Sequence, residues 1–258
     1  MITIKKLLIT LLLFSIAFVL IFVFFWKPAN KVYEVNIYTE SKDSYLIEDF
    51  NNDLDNNYWS IIDGGETYNN ELQYYTPKNI SINNGILEIE AKKETYQECD
   101  YTSGLINTKN KFEFQYGKII FRAKPAYGNG LVSAIWLLPA DGSLYPEVDI
   151  LEALGNDNTI WTGIHYLDPD SNKQSNFVNV PGANNYSVYE FNWDENEISL
   201  SIDNKPIYKT SAGVPNKKMY VIINLSVGGT WAGEPEGSTL PSKFLLDYII
   251  IIPKEVEL

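Results

Sequence analysis

Glu147, Asp149 and Glu152 stand in the run Tyr145-Pro146-Glu147-Val148-Asp149-Ile150-Leu151-Glu152-Ala153-Leu154-Gly155, whose other residues read as a buried strand. A carboxylate removed from water is costly unless it is paired or used, so a segment needing only a strand would not carry three. Strand side chains alternate between faces, which puts Glu147 and Asp149 on one side and Val148 and Ile150 on the other. Strict alternation then gives Leu151, not Glu152, to the acidic face. One extra residue taken up as a β-bulge flips everything after it, and a bulge at Ile150-Leu151 is expected. Glu147 and Glu152 are then about four strand steps apart, ~13 Å at ~3.3 Å per step, and side chains leaning together close much of that gap. What remains is compatible with the ~5–5.5 Å between carboxyl groups that cleave a glycosidic bond with retention of configuration. In that chemistry one carboxylate attacks the anomeric carbon while the other protonates the departing oxygen and then activates water. Asp149, between them, would help hold their proton affinities apart. On a solvated helix the same string is inert, and a carboxylate trio can also hold a cation; the string alone leaves both readings open.

The elements that must position these acids read as many short strands. Gly85-Ile86-Leu87-Glu88-Ile89-Glu90-Ala91, Phe112-Glu113-Phe114 and Ile198-Ser199-Leu200-Ser201-Ile202 alternate, with turn signals at Asn83-Asn84-Gly85, Ala126-Tyr127-Gly128-Asn129-Gly130 and Asp203-Asn204. No long apolar period of 3.6 residues follows the first thirty residues. The pattern predicts an all-β sandwich, because short strands with turns need two sheets to bury their apolar faces. Of the 258 residues, 45% are hydrophobic and 14% aromatic, enough for one well-packed domain over 47–258 after a spacer at 31–46.

Residues 1–30 read differently. From about Leu7 to Trp26 the side chains are apolar but for Ser and Thr, long enough to cross a bilayer. The run exceeds a usual signal-peptide core and ends in Phe24-Phe25-Trp26, which favours an uncleaved signal anchor over a cleaved signal peptide. Lys5 and Lys6 precede it and bias the N-terminus to the cytoplasm, leaving the domain on the extracellular face or, after cleavage, secreted. A net charge of −13 argues against nucleic acid or anionic lipid headgroups as partners of the domain. The single Cys99 and single His165 exclude an internal disulfide and any Cys/His zinc cluster.

Several segments, taken in order, resemble glycoside hydrolase family 16, particularly its laminarinase-like members with the bulged E-x-D-x-x-E form. They are Asn69-Asn70-Glu71-Leu72-Gln73-Tyr74-Tyr75-Thr76; Tyr101-Thr102-Ser103-Gly104-Leu105 through Phe112; Tyr116-Gly117-Lys118 to Arg122-Ala123-Lys124; and Ala134-Ile135-Trp136-Leu137-Leu138. Glu147 to Glu152, Gly163-Ile164-His165, Tyr189-Glu190-Phe191-Asn192-Trp193, Asn224 to Trp231 and Leu246-Asp247-Tyr248 complete the series, over about Ile47 to Ile252.

The resemblance implies a β-jelly roll of two antiparallel sheets whose concave face is an open sugar-binding cleft. It implies Glu147 as nucleophile, Glu152 as acid/base and Asp149 as assistant, in agreement with the strand argument. Trp136 and Trp231 match positions that face the cleft, where aromatic faces stack on sugar rings, and Trp193 is read as core. His165 matches a histidine that hydrogen-bonds to sugar or to an acid. Asn69 and Glu71 match a cleft-lining pair on one face of a strand, Arg122 a basic position that can contact sugar hydroxyls or else form a structural salt bridge, and Tyr145 a place where relatives often have Trp. No cofactor is implied for catalysis. A structural Ca²⁺ on the convex side, as in some members, would take Asp247, the carbonyl of Gly85 and Glu48, since hard oxygen ligands suit calcium.

The sequence departs from the family at Val132, where many laminarinases carry Trp, and in the short segment from Trp136 to Glu147, with Pro146 directly against the nucleophile. These bear on substrate more than on reaction. The expectation is a monomeric endo-β-1,3(1,4)-glucanase acting on a β-glucan polysaccharide. A cell-wall transglycosylase or a galactan hydrolase keeps the same chemistry, and a non-catalytic glucan-binding module keeps the same fold.

Overall fold

The structure is a computed structural model that describes residues 45–65, 68–155, 159–182, 185–235 and 240–254. The apolar run at Leu7–Trp26 and nearly all of the spacer lie outside these. Among the described residues no helix is long and apolar enough to cross a membrane.

Among the described residues seventeen strands follow one another: β1 (Leu46–Glu48), β2 (Ser60–Ile61), β3 (Gln73–Tyr75), β4 (Ile80–Asn83), β5 (Ile86–Tyr96), β6 (Cys99–Ser103), β7 (Leu105–Asn107), β8 (Gly117–Lys124) and β9 (Leu131–Pro139), then β10 (Glu147–Leu154), β11 (Thr159–Leu167), β12 (Lys173–Pro181), β13 (Ser187–Trp193), β14 (Ile198–Ile202), β15 (Lys205–Thr210), β16 (Met219–Val227) and β17 (Ser242–Pro253). The only α-helix among the described residues is α1 (Gly229–Ala232).

The strands form two sheets, as the alternation predicts. One has ten strands in the order β15-β14-β13-β8-β17-β5-β6-β3, with β1 added to β17 and β4 to β5; the other has seven, β12-β11-β10-β9-β16-β7-β2. All pairings are antiparallel except β3 with β6, which is parallel and corrects the expectation of wholly antiparallel sheets. The turn signals perform as read: Asn84 and Gly85 join β4 to β5, and Asp203 and Asn204 join β14 to β15, each with two consecutive positive φ values. That is the twist a two-residue hairpin requires. Phe112-Glu113-Phe114 is not a strand. Phe112 and Phe114 are buried, and Phe114 makes only an isolated bridge to Met219, so burial rather than pairing explains the alternation there. The domain also begins earlier than expected, because Leu46 pairs with Ile251 and is 1% exposed.

The core lies between the sheets. The ten-stranded sheet contributes Leu87, Ile89, Phe121 and Tyr189, the last two rings stacked at 4.7 Å. Trp193 is core as expected, its Nε1 donating to the carbonyl of Pro215. From the seven-stranded sheet come Ile135, Leu137, Val148, Ile150, Leu151, Ile160, Ile164, Val221 and Ile223. Alternation then points Trp136, Trp161, His165 and Asn224 away from the core, onto the sheet's open face.

β10 is the exception that defines this face. Against β9, Asp149 pairs with Trp136 and Leu151 with Ile135; against β11, Asp149 pairs with Gly163 and Glu152 with Trp161. Ile150 and Leu151 share the place of one residue, and both are fully buried. The bulge falls at the expected position because two consecutive large aliphatics are driven inward, and the strand resumes with Glu152 on the open side. Leu151→Ala is therefore expected to cost about 2–5 kcal/mol, as truncation of a fully buried leucine does, and guanidinium unfolding followed by tryptophan fluorescence measures it.

Candidate active site

The open face of the seven-stranded sheet forms a cleft of about 640 Å³ lined by Glu147, Asp149 and Glu152 together with Asn69, Glu71, Trp136, Tyr145, His165 and Trp231. Nine of the ten residues read from the sequence as catalytic or sugar-binding thus meet in one place. The β10–β11 register sets the spacing: Glu147 lies opposite His165 and Glu152 opposite Trp161, four residues apart on a strand without a bulge. This is the four-step separation, ~13 Å between backbones, that lets two leaning glutamates approach to retaining-glycosidase distance.

Small residues make room beside the acids. Ala134 sits opposite Glu152 and Gly163 opposite Asp149. A Cβ on Gly163 would lie 2.4 Å from the carbonyl oxygen of Asn176 and 2.5 Å from the Phe177 ring. Without that Cβ, the ring of Phe177 packs next to His165 at 4.6 Å between centroids. His165 shares a 2.6 Å hydrogen bond with Ser175 through Nδ1. Burial and the charge of Lys173 push the imidazole below its usual range, so it is neutral near pH 7.

The opposite wall is a hydrogen-bonded chain. Trp136 Nε1 donates to Asn224 Oδ1 at 2.8 Å, Asn224 Nδ2 to the Tyr75 hydroxyl at 3.2 Å, and Gln73 Nε2 to Glu71 Oε2 at 2.9 Å, while Gln73 Oε1 accepts from the amide of Val227. Trp136 is thereby fixed by its nitrogen with Tyr68 edge-on at 6.1 Å. Asn69 and Glu71, expected on one face of a strand, both precede β3, and Asn69 and Asn70 form a left-handed turn with φ of 54° and 58°. The Asn69 carbonyl accepts from both the amide and the hydroxyl of Thr230, which ties down the loop carrying Trp231. Gly228 and Gly229 precede it at φ of 74° and 95°, a conformation suited to glycine, and a Cβ on Gly228 would strike Leu72 at 2.6 Å. Trp231 projects from this turn, 39% exposed, edge-on to Trp161 at 6.2 Å.

The acids are electrostatically unequal. Burial, then the charges of Glu147 and Glu71, push Glu152 up to about 8, so it carries a proton at neutral pH. Asp149, 2% exposed and with Oδ2 lacking a hydrogen-bond partner, is raised well above the carboxylate range by burial and by both glutamates. Burial also raises Glu147, but the ammonium of Lys173 opposes the rise. Glu152, which holds a proton, and Glu147, whose rise Lys173 opposes, are thus unequal, as two-carboxylate catalysis requires. The cation reading is less well served: one ligand atom each from Glu147, Asp149 and His165 lies within 4.8 Å of the others, but the charge of Lys173 bears on all three.

Arg122 corrects the sequence reading. It belongs to β8 in the ten-stranded sheet, where Nη1 donates to Asp247 Oδ2 at 2.7 Å and the guanidinium lies 4.3 Å from the Tyr186 ring centroid; it does not line the cleft. The same ion pair bears on the calcium expectation. Glu48 lies opposite Ile249, two residues from Asp247, and Leu87 opposite Leu246, so Glu48, Gly85 and Asp247 occur in one region of that sheet. However, Asp247 faces a guanidinium and Glu48 accepts from the amide of Phe50.

Tyr68, Trp161, Lys173 and Phe177 also line the cleft and were missed in the sequence. The signal for Trp161 was present: it has the parity of Gly163 and His165. Lys173, Ser175 and Phe177 share one parity as well, but only pairing with β11 shows which face of β12 is open.

The family model "Glycosyl hydrolases family 16" matches residues 67–248. The chain is 34% identical over 218 residues to Endo-1,3-1,4-beta-glycanase ExsH of Rhizobium meliloti, a match covering 76% of this chain and 46% of that protein. It is 32% identical over 224 residues to Glucan endo-1,3-beta-glucosidase A1 of Niallia circulans, covering 72% and 33%. The chain thus spans a third to about half the length of these curated relatives. The laminarinase of Flavobacterium sp. UMI-01 superposes with a TM-score of 0.71 at 30% identity, over 80% of this chain and 98% of that one.

Raised carboxyl pKa values have a consequence for stability. Between the unfolded value near 4.5 and about 8, the folded chain keeps the Glu152 proton that the unfolded chain has lost, so rising pH destabilises the fold across that window. Glu152→Gln removes this dependence. Thermal unfolding is expected to show the variant gaining in Tm over the parent at pH 8 relative to pH 5; an equal difference at both values contradicts the assignment.

Proposed function

The chain belongs to glycosyl hydrolase family 16, and on that premise we propose that it is a retaining endo-β-glucanase acting on β-1,3 or mixed β-1,3-1,4 linkages. The observation that carries the reading is the bulge of β10, which turns Glu147, Asp149 and Glu152 into one open cleft while Glu152 keeps its proton. The relatives' names, an endo-1,3-1,4-beta-glycanase and a glucan endo-1,3-beta-glucosidase, support the substrate class.

The mechanism uses this chain's residues alone. Glu147 attacks the anomeric carbon as the bond to the departing oxygen breaks, and Glu152 donates its proton to that oxygen. A glycosyl ester on Glu147 carries no charge, so one of the forces raising Glu152 disappears, its proton affinity falls, and it stays ionised and ready to act as the base. It then takes a proton from water, whose oxygen attacks the same carbon and releases Glu147 as carboxylate. Asp149, on the same face between the two glutamates, is raised in proton affinity by burial and by their charges and assists by holding their proton affinities apart. Trp136 and Trp231 offer aromatic surfaces to sugar rings on either side. Retention of all three acids disfavours a non-catalytic binding module.

The domain is proposed to act as a monomer on the extracellular face, held by the apolar run at Leu7–Trp26 or released after cleavage of it. The support is the length of that run and the lysines before it.

Assay of new reducing ends on laminarin, lichenan, agarose and carrageenan tests the substrate, and NMR of the first product tests the chemistry. Release from laminarin or lichenan with the β-anomer appearing first is expected. Glu147→Gln should fall to background and Glu152→Gln by about 10²–10⁴-fold. Activity on the galactans alone overturns the substrate, transfer to sugar acceptors without net reducing ends makes the chain a transglycosylase, and an α-anomer first overturns retention.

A further inference from the structure

Lys173 is the only lysine or arginine among the residues lining the cleft, on a chain with a net charge of −13. It is exposed on the edge strand β12, and its ammonium lies 5.4 Å from the centroid of the Tyr145 ring. The register fixes its place relative to the acids. Glu147 lies opposite His165 and His165 opposite Ser175, so Glu147 and Ser175 are level across three strands. β12 runs parallel to β10, being antiparallel to β11, and Lys173 comes two residues before Ser175. It therefore stands level with Tyr145, on the side of Glu147 away from Glu152, and Glu152 lies ~13 Å further along β10.

No ion pair among the described residues involves Lys173. Asp168, the nearby acid of the β11–β12 turn, accepts hydrogen bonds from Asn172 and Gln174 instead. The other titratable groups facing Glu147 are Asp149 and Glu152 on its own strand, His165 on β11 and Tyr145 in the preceding loop. Glu71 bears on Glu152 from the opposite wall. Lys173 is thus the positive charge at one end of an otherwise acidic row.

We propose that Lys173 is a positioning residue for the nucleophile: its ammonium, held against Tyr145 beyond Glu147, supplies the asymmetric field that keeps Glu147 a carboxylate while Glu152 holds a proton. The interaction is through space and partly screened by solvent, so it weakens with salt. This deepens the retaining reading above and rests on it for the roles of the two glutamates, but the charge assignment is measured separately.

The full chain is labelled with ¹³C at glutamate carboxyls, and Glu147 and Glu152 are titrated by NMR, with Glu147→Gln and Glu152→Gln identifying the resonances. In Lys173→Met the Glu147 midpoint is expected to rise by about half a pH unit, while Glu152 moves less. Lys173→Arg should restore it, and the difference should shrink at about 1 M salt. The acidic limb of kcat/KM should shift with the Glu147 midpoint, leaving the basic limb in place. An unchanged Glu147 midpoint, or equal movement of both glutamates, overturns the proposal whatever the activity. A parent chain that cuts no glycan overturns the glucanase reading, while the NMR arm still decides whether Lys173 tunes Glu147.

Discussion

Burial of three carboxylates on one strand face, with repulsion among them second, is the constraint around which the seven-stranded sheet is arranged. Three acids share one face of β10, and taking them from water favours their neutral forms. The sheet does not neutralise them with arginines, which would quench their chemistry. It raises the proton affinity of all three, Glu152 enough to keep its proton, places one lysine beside Glu147, and packs the other face with aliphatics that hold the strand in place. The stability given up where the acids crowd is recovered in the continuous core behind them.

That core and the bulge are one device. An unbulged strand with this sequence would turn Glu152 into the apolar interior and Leu151 into the cleft. Burying Ile150 and Leu151 side by side reverses both placements. Neighbouring strands accommodate the result with Ala134 and Gly163 opposite the acids, so the open face is concave where the reacting bond must lie. The loops then complete the cleft: the left-handed turn at Asn69 holds the turn that presents Trp231.

The bulge and the shared open face of the three acids along β10 were legible in the sequence because acids and aliphatics fell out of phase by one residue, and only a limited set of backbones reconciles that phase. The sandwich was legible for the same reason, through period-two burial and Asn-Gly and Asp-Asn hairpins. Information carried by pairing between distant segments was not. Arg122 looked like a cleft residue until β8 was placed in the ten-stranded sheet beside Asp247, and its partner was invisible 125 residues away. Lys173 had nothing to distinguish it from a solvated surface lysine until β12 was set in register with β11. Phe112 and Phe114 alternated like a strand although their burial comes from packing against Tyr58 and Trp193.

The account's central claim is that Glu147 becomes covalently attached to sugar while Glu152 supplies and recovers the proton. The direct measurement is mass spectrometry of the chain after exposure to a glucan oligosaccharide fluorinated beside its anomeric carbon and bearing an activated leaving group, which slows breakdown of the intermediate. The account predicts one glycosyl increment, mapped to the peptide at Glu147 and absent in Glu147→Gln. An increment on Glu152, or turnover to an inverted product with no adduct, would contradict it.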